Sequence, residues 1–337
     1  MSHRSLVMTR QINVTTHRWP LTQPFRSAYG RITQVESVRI ELTEGLYRGR
    51  GECRPFHAYG QDVARVLAEI GAISEELAEG MTRAALQEAM PPGSARNAID
   101  CALWDLEAKQ AGEPVWRLAG LSAPRPFLQM LSVPAIDPAG AGAIAAKVAA
   151  PFAAPLMKVK MPGDNDLERI AEIHRRAPHA RIIVDPNGSW TEQDYLNAMP
   201  VLAKNGVVLV EQPFAPEEEE QLDNLPHPIP LCADESCRDA ASLDGLRNRY
   251  ECISIKLEKA GGLTEALAVL RRAREMRFGI MVSSMISPSL ALAPAVILAT
   301  EADYADIGVQ DGIEGDPQPA LETQDGLCLP PSPELWG

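Results

Sequence analysis

The spacing of hydrophobic and polar positions changes near residue 127 and divides the chain into two parts. Before that point, residues 35–42 alternate apolar and polar side chains, as a half-buried strand does. Residues 61–77 and 94–111 carry apolar side chains at helical spacing, and Gly112 ends the second of these stretches. The first part therefore predicts an α+β unit of its own.

From about residue 127, short apolar runs end in a polar or charged residue, and an amphipathic stretch follows each run. The runs end near Ser132, Lys160, Asp185, Glu211, Asp234, Lys256, Ser283 and Asp306. By subtraction, successive ends lie between 22 residues (234 to 256) and 28 residues (132 to 160) apart. One strand, one helix and two short loops occupy about that length. Eight near-even units favour a closed (β/α)₈-type barrel over an open doubly wound sheet.

The segment after the eighth run does not continue this rhythm. Residues 311–337 carry prolines at 317, 319, 330, 331 and 333, so they cannot form a further strand–helix unit. We expect this segment to run back to the first domain. The predicted organisation is therefore a first domain at 1–125, a barrel at 126–310 and a returning segment at 311–337.

The composition is that of an ordinary globular protein, and it argues against several partners. The 337 residues are 45% hydrophobic and 23% charged, with a net charge of −13. That charge repels nucleic acid and anionic lipid, so we expect neither nucleic acid nor a membrane as a partner. The six cysteines include no C-x-x-C pair, and residues 1–20 lack a continuous apolar run. We therefore expect reduced thiols and a cytoplasmic protein.

Barrel closure would bring the ends of the runs together, because active sites of this fold lie at the carboxyl ends of the strands. Three consecutive ends are acidic: Asp185, Glu211 and Asp234. Converging carboxylates repel one another unless a cation lies among them. An oxygen-only ligand set indicates Mg²⁺, with Mn²⁺ as a substitute. Taken singly, each acid would also suit a helix cap or a surface ion pair.

Lys160 and Lys256 flank the three acids, one strand before them and one strand after. Strand alternation places Lys158 on the same inward side as Lys160. A neighbouring ammonium lowers the pKa of a lysine, and a lysine must be partly deprotonated to act as a base. The alternative is that each lysine is simply paired with one of the carboxylates.

This combination predicts proton transfer next to a carboxylate. A divalent cation that chelates the carboxylate stabilises the charge that develops when the α-proton leaves. One lysine removes the proton and the other returns it to the opposite face, which is racemisation or epimerisation. With a leaving group or a ring to form, the same enolate leads to β-elimination or cycloisomerisation.

Several short strings carry a resemblance to a known family: K-x-K (158–160), D-x-N (185–187), E-Q-P (211–213), A-D-E-S (233–236), I-K-L-x-K-x-G-G (255–262) and A-R-N-A-I-D-C-A-L-W-D (95–105). In order and spacing they resemble the muconate-lactonizing subgroup of the enolase superfamily, over nearly the whole chain. The resemblance implies an α/β fold, a modified TIM barrel of (β/α)₇β form. It also implies an N-terminal α+β capping domain that the C-terminal segment completes.

Carried over by position, the resemblance implies a role for each matching residue. The Mg²⁺ ligands would be Asp185, Glu211 and Asp234, the acid/base catalysts Lys160 and Lys256, and the supporting groups Lys158, Asn187 and Glu235. Asn187 would also suit a simple turn after Pro186. All six histidines precede the sixth run end and none ends a run, so a His–Asp base of the mandelate-racemase type has no candidate.

Within the subgroup, ECRPFHAYG (52–60) and IKLEKAGGLTEALA (255–268) are similar to dipeptide epimerases of the L-Ala-D/L-Glu type. The substrate would be a small carboxylate, a dipeptide from peptidoglycan turnover. That group has a D-x-D motif at the eighth strand that binds the α-ammonium, whereas this chain has Asp306 and then Gly308. Asp306 is a substrate-binding candidate or an ordinary strand-end cap. An N-acylamino-acid racemase or o-succinylbenzoate-synthase-like enzyme, which does without that site, and a muconate-type cycloisomerase stay open.

Two further segments are expected to contact the substrate. Residues 24–32 would fold over the barrel mouth as a specificity loop, with Arg26 or Arg31 binding an acidic side chain. Either arginine would also suit a solvated loop. Ser284 and Met285 match the family's substrate-contacting segment at the seventh strand, although a packed loop fits as well.

The resemblance also implies a homo-oligomer. The alternative to an enzyme is a catalytically inactive scaffold with the same fold. Such a protein would have lost a catalytic base or a metal ligand, and this sequence has every one of these residues.

Overall fold

The first domain is an antiparallel sheet covered by helices. The computed structural model describes residues 10–27, 30–153, 155–309 and 312–337, apart from the side chains of Arg26 and Ser27. Three strands lie in the order β1 (Gln11–Ser27), β2 (Gly30–Glu44) and β3 (Tyr47–Cys53). The helices of this domain are α1 (Val63–Ala72), α2 (Ser74–Ala78), α3 (Arg83–Ala89), α4 (Ser94–Ala111) and α5 (Val115–Leu118), with a 3₁₀ turn at His57–Tyr59.

The sheet and α4 form the core of this domain. Val38, Ile40 and Leu42 alternate along β2 and are fully buried, as the sequence pattern predicts. The backbone of β3 lies directly on α4, since a Cβ on Gly51 would meet Ala98 O at 2.0 Å. The expected helix at 94–111 is confirmed, whereas the one at 61–77 is two helices that break at Ile73.

The second domain is a curled sheet of eight parallel strands that pair in chain order. A short strand, β4 (Phe127–Leu128), precedes it. The eight strands are β5 (Leu131–Val133), β6 (Leu156–Lys160), β7 (Arg181–Asp185), β8 (Val207–Glu211), β9 (Leu231–Ala233), β10 (Cys252–Ile255), β11 (Gly279–Ser283) and β12 (Tyr304–Asp306). Each coincides with one of the predicted runs, so the prediction of eight units is confirmed.

Helices cover the outer face of the curled sheet. They are α6 (Pro138–Ala149), α7 (Asp166–Arg176), α8 (Glu192–Lys204), α9 (Leu243–Leu246), α10 (Leu257–Ala260), α11 (Leu263–Met276) and α12 (Ser289–Ala299), with a 3₁₀ helix at Glu219–Asn224. Among the described residues no ladder joins β5 to β12. The side-chain amide of Gln129 instead donates to Ile307 O across that edge, at 3.3 Å. None of these helices, nor any other in the described ranges, is both long and apolar enough to cross a bilayer.

The C-terminal segment returns to the first domain, as its prolines led us to expect. Its strands β13 (Thr323–Gln324) and β14 (Leu327–Cys328) pair with β4. The indole of Trp336 donates to Arg50 O and Cys101 O, and Gly337 N donates to a carboxylate oxygen of Asp105 at 2.9 Å. The domain boundaries at 125 and 310 stay predictions.

Candidate active site

The carboxyl ends of five neighbouring strands, β6 to β10, bring the predicted acids and lysines together. Lys160, Asp185 and Glu211 are the last residues of β6, β7 and β8. Asp234 and Lys256 directly follow β9 and β10. Because parallel strands end at the same edge, residues far apart in sequence share one pocket. Asp185, Glu211 and Asp234 are completely or almost completely buried there.

Lys158 lies at the centre of this cluster and contacts three carboxylates. Its ammonium is 2.7 Å from Glu211, 2.7 Å from Asp306 and 3.2 Å from Asp185. Burial opposes the charge, but these carboxylates outweigh it and hold the pKa of Lys158 well above its usual value. Its charge is already compensated by the acids.

Lys160 starts a chain of polar contacts that runs across the site. Its ammonium donates to Asp185, its register partner in the next strand, and to the side-chain oxygen of Asn187 at 2.9 Å. The amide nitrogen of Asn187 donates in turn to Glu235 at 3.1 Å. Asn187 adopts a left-handed φ of 51°, which an asparagine tolerates in a turn. Asn187 is thus both a turn residue and a link between Lys160 and Glu235.

On the other side of the acids, Asp234 binds two lysines. One carboxylate oxygen accepts from Lys256 at 2.5 Å, and the other accepts from Lys259 at 2.6 Å. Burial would raise the pKa of Asp234, but Lys256 and Lys259 hold that pKa well below its usual range. Lys256 is buried as well, and Asp234 is the main group that keeps its pKa above the usual value. The alternative that each lysine is paired with an acid is therefore what the structure contains.

Glu211 is the exception in this charge pattern. It is fully buried, and neither of its oxygens makes a hydrogen bond with a described residue, although Lys158 lies 2.7 Å away. Burial and the nearby Asp185 raise the pKa of Glu211 to about 8. Within the described ranges no three acidic, histidine or cysteine side chains are arranged as the ligands of one metal ion, and the ammonium of Lys158 contacts both Asp185 and Glu211. An undercompensated buried carboxylate in an oxygen-only set nevertheless fits a bound cation.

Gln212, the residue after Glu211, holds two of the strand ends in place. Its side-chain oxygen accepts from Asp234 N at 2.8 Å and from Ser236 N at 3.2 Å. Its side-chain nitrogen donates to Tyr250 and to Phe214 O. Gln212 and Lys259 lie in the strings E-Q-P and I-K-L-x-K, but the sequence predicted no role for either residue. Both were marked only by their presence in these strings.

The cluster opens into a cavity of about 1010 Å³ between the barrel and the first domain. Lys158, Lys160, Asn187, Glu235 and Lys256 line its floor. The first domain supplies the opposite wall, which contains Phe25, Ile32, Arg54, Phe56, His57 and Tyr59. Sequence reasoning missed Arg54 and Tyr59, because neither ends an apolar run.

The predicted substrate-binding residues are only partly brought to this cavity. Ser284, Met285 and Asp306 line it, and so does Gly308. Arg31 is exposed on β2 and does not line the cavity, so the structure does not support it as a substrate contact. The side chain of Arg26 lies outside the described residues. Residues 24–25, 30 and 32 of the expected loop do line the cavity.

Two family models match the chain. Residues 9–120 match the mandelate racemase/muconate lactonizing enzyme N-terminal domain, and residues 141–331 match the enolase C-terminal domain-like family. The L-Ala-D/L-Glu epimerase of Escherichia coli K12 is 38% identical, over 94% of this chain and 98% of that protein. An N-acetyl-D-glutamate racemase of Pseudoalteromonas is 35% identical, over 89% and 95%.

A solved structure shares the whole architecture. It is an enolase family member from Agrobacterium tumefaciens with homology to dipeptide epimerases, containing bound sodium and L-Ala-L-Glu. Its TM-score is 0.92 and its sequence is 36% identical, with coverage of 97% of this chain and 100% of that one. The chain therefore belongs to the mandelate racemase/muconate lactonizing enzyme family of the enolase superfamily.

Proposed function

We propose that the protein is a metal-dependent isomerase that epimerises a dipeptide of the L-Ala-D/L-Glu type. The observation that carries this proposal is the position of two amines in one cavity. Lys160 lies on the β6 side of the buried acids and Lys256 on the β10 side, and both line the cavity. A substrate α-carbon held above the acids would have one amine on each face.

Asp185, Glu211 and Asp234 would hold a divalent cation, Mg²⁺ or alternatively Mn²⁺, since all three offer hard oxygen ligands. When bound, the cation supplies the positive charge that stabilises a substrate carboxylate as its α-proton leaves. Glu211 supports this assignment, because its buried carboxylate lacks hydrogen bonds and has too little compensating charge. Gln212 and Lys259 would keep Asp234 oriented for the same task.

The two lysines move the proton. One amine takes the α-proton as a general base, and the ammonium on the opposite face returns a proton to the same carbon. Each lysine then has the protonation state that the reverse direction needs. Asp185 and Asn187 orient Lys160, and Asp234 orients Lys256. No net proton is gained or lost, so the reaction needs no oxidant and no second substrate.

The dipeptide assignment rests on the similarity to the Escherichia coli epimerase and to the structure that contains L-Ala-L-Glu. A second candidate is an N-acylamino-acid racemase, which is favoured by one contact. Asp306, the only acid left from the D-x-D pattern, is bound to Lys158 at 2.7 Å. A substrate without an α-ammonium does not need Asp306 as a binding partner. The similarity to an N-acetyl-D-glutamate racemase agrees with this alternative.

We propose a cytoplasmic location for this activity, because all six cysteines are free thiols. We also keep a homo-oligomer as part of the proposal. Size-exclusion chromatography with light scattering would measure that directly.

The test of the proposed function is proton exchange in D₂O with Mg²⁺ present. We expect NMR to show deuterium incorporation and inversion at the C-terminal residue of L-Ala-L-Glu, faster than at N-acetyl-L-glutamate. The opposite order would favour the N-acylamino-acid racemase. Absence of exchange at every carboxylate in both substrate classes would refute the proposed function.

A further inference from the structure

Arg54 is a buried arginine on the wall of the cavity that faces the catalytic lysines. It directly follows β3, and only 8% of the residue is exposed. Its backbone N donates to a carboxylate oxygen of Glu258 at 2.6 Å, which fixes the cap against α10. Its guanidinium carbon lies 5.4 Å from the centre of the Phe56 ring. The residue is therefore held in place through its backbone and its stacking face.

The guanidinium has no hydrogen-bonding partner among the side chains and backbone groups that the structure describes. Among the described residues it forms neither a side-chain hydrogen bond nor an ion pair, and the donor that reaches Glu258 is the backbone N of Arg54. Burial lowers the pKa of Arg54, although the charge of Glu258 opposes that effect. None of its nitrogens is among the fully buried side-chain atoms that lack a partner, so its N–H groups reach the cavity and can donate to a ligand there.

The other cations of the cavity are already committed. Lys158, Lys160 and Lys256 each contact at least one carboxylate. Arg31 is exposed and does not line the cavity. Within the described part of the lining, Arg54 is thus the arginine or lysine whose side chain is not bound to a carboxylate.

From this arrangement we propose that Arg54 binds a second carboxylate of the substrate, the one on the side chain of its C-terminal residue. The inference rests on the proposed function, since it assumes that the α-carboxylate lies over the buried acids. A guanidinium presents paired donors that match a carboxylate in a bidentate way. The proposal makes Arg54 the determinant of preference for glutamate or aspartate over their neutral analogues.

The test compares matched substrates in the intact enzyme with Mg²⁺. L-Ala-L-Glu and L-Ala-L-Gln differ only in the side-chain charge, and N-succinyl-L-leucine has its second carboxylate on the acyl group instead. Arg54→Gln is expected to lower kcat/KM for L-Ala-L-Glu by at least roughly tenfold, the loss of one charge-assisted contact, and to leave L-Ala-L-Gln nearly unchanged. Arg48→Gln is the control, because Arg48 is an exposed arginine of the same sheet.

Each outcome decides the matter. The deciding quantity is the ratio of kcat/KM for L-Ala-L-Glu to kcat/KM for L-Ala-L-Gln. A smaller ratio in Arg54→Gln than in the wild type supports the proposal, and an unchanged ratio overturns it. A loss of kcat/KM for N-succinyl-L-leucine alone also overturns it. If Arg54→Gln does not fold, Arg54→Lys carries the test and should narrow the ratio by a smaller factor, because it keeps the charge but not the paired donors. A wild-type enzyme inactive on all three substrates would refute the proposed function, whereas an active enzyme with an unchanged ratio refutes only the role of Arg54.

Discussion

The two walls of the cavity differ in how their charges are arranged. The strand-end wall, formed by Lys158, Lys160, Asn187, Glu235, Lys256 and Asp306, has its lysines bound to acids. The cap wall, formed by Phe25, Ile32, Arg54, Phe56, His57 and Tyr59, is mostly aromatic and apolar and has a guanidinium with unused donors. The first wall holds its charges in fixed positions, and under the proposed function the second wall selects the substrate.

This difference separates chemistry from specificity. The strand-end wall is carried by a continuous ladder of parallel strands, so its geometry changes little when loops vary. The cap wall comes from loops and strand ends of another domain, where substitutions do not disturb the ladder. We therefore expect variants of the strand-end wall to change turnover for every substrate, and variants of the cap wall to change the choice among substrates.

The largest expected effect is that of Glu211→Gln on the strand-end wall. The variant removes one of the three proposed oxygen ligands, so we expect a loss of turnover of at least about a thousandfold and weaker activation by Mg²⁺. The loss should be equal for glutamate and glutamine dipeptides. Titration of activity with Mg²⁺ measures both effects, with Asp223→Asn, a change at a surface ion pair, as the control. A loss limited to one dipeptide would contradict the division between the walls.

The second effect concerns the support of the cap wall. In Gly51→Ala the new Cβ would meet Ala98 O at 2.0 Å, so β3 must move away from α4. We expect the free energy of unfolding to fall by roughly 3 kcal/mol. The control is Gly71→Ala in α1, where a Cβ meets nothing within 4 Å and alanine favours the helix. Denaturant unfolding of both variants measures the difference. Equal stability of the two would show that β3 does not depend on this close contact.

The smallest effect is a pH dependence of the metal-free protein. The pKa of Glu211 rises from 4.5 to about 8 on folding, so folded Glu211 keeps a proton that the unfolded chain releases in this window. The contribution of Glu211 is present below pH 4.5 and is lost as the pH rises through about 8. As the pH rises from 4.5 to about 8, we expect the free energy of unfolding of the wild type to fall. This fall should exceed that of Glu211→Gln by on the order of 1 kcal/mol. Identical slopes in urea titrations at several pH values would count against the raised pKa.

The sequence predicted the barrel well because its signal is local. An apolar run that ends in Lys160, Asp185 or Glu211 forms a strand, and its last residue lies in the candidate site. One sequence pattern therefore predicts both the strand and the site residue. Lys259 escaped this reasoning because it lies one helical turn beyond Lys256 and points back to Asp234, which a strand pattern does not reveal. Arg54 lines the cavity without having been predicted, and Arg31 lies outside the lining, for another reason. Their positions depend on how the cap docks on the barrel, and that contact is not encoded by spacing along either segment.

The central claim is that Lys160 and Lys256 serve opposite faces of one α-carbon, and single-lysine variants test it most directly. Lys160→Met and Lys256→Met are incubated separately with L-Ala-L-Glu and L-Ala-D-Glu in D₂O, and deuterium at the α-carbon is followed by NMR. We predict that both variants lose epimerisation by about a thousandfold or more, while each retains exchange with one epimer only, a different one for each lysine. Retention of exchange with the same epimer by both variants, or epimerisation that survives either change, would contradict the account.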